Sequence, residues 1–194
     1  MNPNQMSSEL QRFLNLFDQL MEQTFAYLKR VDTPAYASVP VDSDVMFLGT
    51  RVSKINIGGL VRHLILAEPH WFESLSSISD GDIIPLPGNS SLFEGVGDGQ
   101  PLVDTYRSAY ARCRPLLEKL TETELNKRVS FVGRHYTVMG LLWTILGHHN
   151  LHLGQVDLLM RQENIQPPEC WDESRGNPRA VARPARSGSG EHQI

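Results

Sequence analysis

Four stretches of this chain repeat their apolar residues at three- and four-residue steps, and that period limits what it can fold into. The first covers about residues 8–31, with Leu10, Phe13, Leu14, Phe17, Leu20, Met21, Thr24, Leu28 and Val31 on one stripe. The second begins near residue 53 and continues past Trp71, sharing a face among Leu60, His63, Leu64, Ala67, Trp71 and Leu75. Pro101 suits the first turn of the third, which aligns Val103, Tyr106, Tyr110, Cys113, Leu117 and Leu120. Thr137 is placed as the N-cap of the fourth, which reaches about residue 163. Four long amphipathic helices in one domain predict an all-α four-helix bundle.

The joints have their own composition. Residues 76–100 are rich in Gly, Ser, Asp and Pro and carry no period; loops of that length are usually either functional or disordered. Residues 127–136 read as an extended hairpin turning at Gly133, just before the last helix. Residues 1–165 are therefore expected to form the bundle and 166–194 a flexible polar tail. Pro69 and Pro115 interrupt helical pattern and should bend or loosen their helices, or be tolerated as surface kinks.

Charge narrows the partners. The chain has 18 Lys and Arg against 22 Asp and Glu, and Arg175, Arg179, Arg183 and Arg186 lie in the tail, so the body is acidic. Nucleic acid, which needs a basic face, is not expected. No run approaches the twenty apolar residues of a membrane span, and no cationic-then-apolar leader opens the sequence. Cys113 and Cys170 are too few for a disulfide framework. A cytoplasmic protein acting on a small molecule is the expectation.

The chemistry concentrates in GHHNLHLGQ on the fourth helix. His148 and His152, four apart, share a face and could aim two imidazoles at one ion; His149 and His152, three apart, could do so too, and spacing does not choose. His63, among the apolar residues of the second helix, is the candidate third ligand; a neutral core histidine is the plainer alternative. A zinc protease would need Glu at position 149, and a di-iron bundle Glu three residues before each ligand; both are missing. An all-nitrogen mononuclear site survives this elimination.

HLILAEPHW, with His63, Glu68 and Trp71, together with GRHYTVMGLLWTILGHHNLHLGQVDLLMRQ and its H-x-x-x-H-x-G-Q pattern, resembles the DinB/YfiT-like metalloenzyme family over roughly residues 8–165. The resemblance implies a bundle of up-down-down-up order. It implies one divalent ion, zinc or nickel, on His63, His148 and His152, with His149 as a neighbour outside the ligand set. It also implies a thiol-dependent S-transferase or isomerase, with bacillithiol, mycothiol or glutathione as the thiol. Pro69, the 76–100 loop and the arginine-bearing tail depart from the family pattern.

Three neutral imidazoles leave a divalent ion its full charge, so a thiol or a water could be activated there against a small electrophile. His70 is expected to meet the substrate or to sit half exposed at the Pro69 kink. Gln155 is expected to orient a ligand or cap a polar pocket, and Glu68 to match the family's acidic position or form a surface ion pair. Gly140, Gly147 and Gly154, seven apart, suggest a close helix approach, inside the bundle or in a homodimer. The alternative class is a non-catalytic helical scaffold with a structural ion or none.

Overall fold

The structure is a computed structural model that describes residues 7–39, 55–88 and 93–169. Its helices are α1 (Ser8–Leu28), α2 (Thr33–Ala37), α3 (Ile57–Leu75), α4 (Gln100–Leu117), α5 (Glu122–Leu125) and α6 (Val138–Gln162). A two-stranded antiparallel hairpin, β1 (Arg128–Phe131) and β2 (Arg134–Thr137), runs directly into α6. Sequence chemistry sets the boundaries. Ser7, Asn56 and Thr137 each accept a backbone N–H of the helix they precede, satisfying a donor with no partner inside the helix. Ser53, expected near the start of the second helix, and the tail beyond residue 169 lie outside the described residues.

Side-chain pairings fix the helix directions. Glu9 meets Trp143 and Tyr27 meets Asp157, so α1 and α6 run parallel. Asp18 meets Arg114 while Phe25 meets Tyr106, so α1 and α4 are antiparallel. Glu68 contacts Tyr106 and Glu73 contacts Arg112, making α3 parallel to α4. The order is up, down, down, up. The apolar stripes of all four long helices close one core, from Leu10, Phe13 and Phe17 through Leu60 and Phe72 to Tyr106 and Leu142. No helix among the described residues is long and apolar enough to cross a membrane.

The hairpin turns on Val132 and Gly133, at φ of 48° and 71°. Two central residues with positive φ define the turn whose twist matches its strands. The 76–100 segment is more regular than its composition suggests. Ile84 N–H donates to Ser130 O at 2.8 Å and Ser130 N–H to Asp82 O at 2.9 Å, so residues 82–84 run alongside β1.

Two expectations are corrected. Pro69 lies buried inside a continuous α3, its carbonyl facing the Cys113 thiol at 3.8 Å, so it is no surface kink. A Cβ at Gly147 or Gly154 would meet nothing within 4 Å, and one at Gly140 would meet only Thr137 of its own cap. The glycine strip therefore makes no close helix approach within the described bundle. It faces outward.

Candidate metal centre

His63 sits two turns into α3, and His148 and His152 occupy successive turns of α6, which packs antiparallel to α3. That crossing brings the rings together. Nε2 of His148 lies 3.1 Å from Nε2 of His63 and 3.1 Å from Nε2 of His152. One nitrogen from each ring falls within 4.8 Å of the other two. In a tetrahedral zinc site with Zn–N near 2.0–2.1 Å the nitrogens stand about 3.3 Å apart, so the spacing suits an ion. Among the described residues no further His, Cys, Asp or Glu joins the group. These three histidines could hold a metal ion.

Their protonation favours ligation. Nδ1–H of His152 donates to Gln155 Oε1 at 2.7 Å, leaving its Nε2 lone pair turned toward His148. Burial, with His152, His63 and His149 nearby, pushes the His148 imidazolium down to about 3. Burial also lowers that of His152, against the opposing pull of its bond to Gln155 and of Glu68. Both rings are therefore neutral at physiological pH, the form that binds metal.

His149 turns the other way. With 0% of its surface exposed, its Nδ1–H donates to Glu68 Oε1 at 2.8 Å and its Nε2 lies 2.7 Å from Thr24 Oγ1. Tyr106 O–H donates to the other Glu68 oxygen at 2.6 Å. Burial, then the Glu68 charge and hydrogen bond, hold the Tyr106 hydroxyl protonated. One polar residue from each long helix thus meets in the core beside the triad. Glu68, 1% exposed, is no surface ion-pair residue. The sequence carries the signal for this: Leu64, Glu68, Trp71 and Leu75 follow core spacing, so a carboxylate there had to be buried.

The remaining residues flank the site. His70 does not join the triad; its Nε2–H donates to Pro85 O at 3.0 Å, tying α3 to the segment alongside the hairpin. The Trp71 indole lies across the His148 ring, with centroids 5.1 Å apart at 74°, and Phe131 of the hairpin packs on Trp71 at 5.2 Å. On the sequence Trp71 belongs to the apolar stripe and to the second-helix motif; its contact with His148 comes from the structure.

Comparison with known proteins agrees with this architecture. The sequence profile of the DinB superfamily matches residues 16–156. A relative from Bacillus subtilis, the uncharacterized protein YrdA, is 32% identical over 73 residues, which cover 37% of this chain and 44% of the relative. The match thus spans less than half of that protein's length.

Proposed function

Because the chain belongs to the DinB superfamily, we propose that it is a mononuclear metal-dependent enzyme whose His63, His148 and His152 hold one divalent ion, zinc or nickel. The observation that carries this reading is the convergence of three ring nitrogens with no fourth protein ligand among the described residues. A structural zinc site is normally closed by four protein ligands, whereas a catalytic one keeps a position open. Once bound, such an ion supplies Lewis acidity and depresses the pKa of a thiol or water. The reaction proposed is transfer of a low-molecular-weight thiol to a small electrophile. Hydrolysis would use the same residues with water in place of the thiol.

Each part of the chain has a task in this reading. Gln155 holds His152 in the ligating tautomer. The Thr24, Glu68, Tyr106 and His149 cluster fixes the rotation of α6, and so the aim of the histidines either side of His149. Trp71, backed by Phe131, packs against the His148 ring and holds its orientation.

The test is elemental analysis of protein purified without a polyhistidine tag, alongside His63→Ala and His152→Ala. One equivalent of metal in the parent and a small fraction of that in each variant is expected. Full occupancy in either variant overturns the assignment. Loss of free bacillithiol, mycothiol or glutathione in the presence of a chloro-aromatic electrophile, measured against His148→Ala, then separates transferase from scaffold. A scaffold would leave the thiol consumption of parent and variant equal.

A further inference from the structure

Trp71 is 5% exposed, and its indole N–H is buried without a hydrogen-bond acceptor among the described residues. Buried Trp N–H groups usually find a partner, because leaving one unmet costs about 1–3 kcal/mol. Trp143 shows the ordinary outcome in the same fold: its Nε1–H donates to Glu9 Oε1 at 2.9 Å. The unmet donor of Trp71 belongs to a ring in edge contact with both His148 and Phe131. Its position is therefore well determined. Neither neighbouring ring accepts a hydrogen bond from its N–H.

We infer that Trp71 is a substrate-recognition residue, whose indole N–H donates to an acceptor oxygen, carbonyl or carboxylate, on the small molecule that occupies the site beside His148. The inference rests on the proposed metal centre and deepens it by naming the substrate chemistry. A ligand with such an oxygen supplies the acceptor that the protein withholds. A ligand lacking it leaves the donor buried and unmet, which is how a polar site rejects near-isosteres. Trp71→Phe keeps an aromatic ring at this position and deletes the indole N–H together with part of the buried ring.

Acetate, the simplest carboxylate, is the probe, used on the full chain. The three tryptophans give three indole cross-peaks in the zinc-loaded, nitrogen-15-labelled protein, and Trp71→Phe removes the one that matters. Should that variant not fold, Trp143→Phe and Trp171→Phe assign the peak by elimination. Acetate is expected to move the Trp71 peak downfield in a saturable way that sodium chloride does not reproduce, while the Trp143 peak stays in place. In cobalt-loaded protein, Trp71→Phe is expected to weaken acetate binding, read from the visible spectrum, about tenfold with cobalt affinity unchanged. A stationary Trp71 peak at acetate concentrations that alter the cobalt spectrum overturns the inference and leaves the metal centre standing. So does equal acetate affinity in the two proteins. Failure of the parent to bind either metal overturns the metal reading, and this inference falls with it.

Discussion

Gln155 Oε1 accepts a hydrogen bond from His152 Nδ1–H at 2.7 Å, and that contact decides which nitrogen of His152 faces His148. The two residues are three apart on α6, so the bond is local and independent of the rest of the bundle. Groups that orient a ligating histidine typically contribute 10–100-fold to metal affinity. Gln155→Ala should therefore weaken zinc binding by a factor in that range, measured by competition with a chromophoric chelator. The melting temperature of the metal-free protein should change little, because Gln155 is only half buried. Unchanged zinc affinity would remove Gln155 from the site.

Glu68 and His149 are both fully buried and hydrogen-bonded to one another at 2.8 Å. Removing one member leaves the buried hydrogen-bonding group of the other without its partner, which typically costs about 1–3 kcal/mol. Glu68→Ala is expected to lower the stability of the metal-free protein by that order, read from urea unfolding. The double replacement Glu68→Leu with His149→Leu should cost clearly less than the two single changes added together. Strict additivity would show that the pair is not coupled.

These two contacts also show how far the sequence could be read. The spacing of the fourth helix offered His148 or His149 as a partner for His152, because residues three and four apart share a face whatever the partner helix does, and the set of His63, His148 and His152 was implied only by the resemblance to the family. Choosing between His148 and His149 was beyond spacing. Consecutive helical residues point about 100° apart, and either can face an ion until something claims one of them. Glu68 claims His149, and that depends on how α3 and α6 pack. The glycine strip makes no close approach within the described bundle for a related reason: a line of small residues marks a smooth face but does not say what lies against it. The short helix α5 escaped notice although its capping box, Thr121 with Glu124, is written in the sequence.

Val132 holds a φ of 48° at the hairpin turn, a region β-branched residues avoid. It is also highly exposed, so its side chain contributes little packing in return. Asn is the favoured residue before Gly in this turn type. Val132→Asn should stabilise the protein by about 0.5–1 kcal/mol. For a chain of this size that raises the melting temperature by roughly 2–4 °C. A fall in melting temperature would show that the exposed valine makes a contact worth more than its strain.

Acid should destabilise the metal-free protein well before its carboxylates protonate. The His148 imidazolium is held down to about 3 from an ordinary value of 6.5, chiefly by burial. As pH falls through 6.5 the unfolded chain takes up a proton at this position and the folded chain does not. The unfolded state is then favoured progressively until the folded ring itself protonates near 3. His152, lowered mainly by burial, acts in the same direction. Asp18 contributes on the acid side: the Arg114 and Tyr110 hydrogen bonds outweigh the burial that would raise its carboxyl, so its contribution is lost only below the ordinary carboxylate value of 3.8. Between pH 6.5 and 4.5 the histidines therefore dominate. The unfolding midpoint of chelator-treated protein should be flat above pH 7 and fall steadily across that window. His148→Gln should make the fall shallower, because one of the groups that differ between the two states is gone. A midpoint that stays level from pH 7 to 4.5 in the parent would mean that the buried rings carry protons in the folded state, and they would then make poor metal ligands.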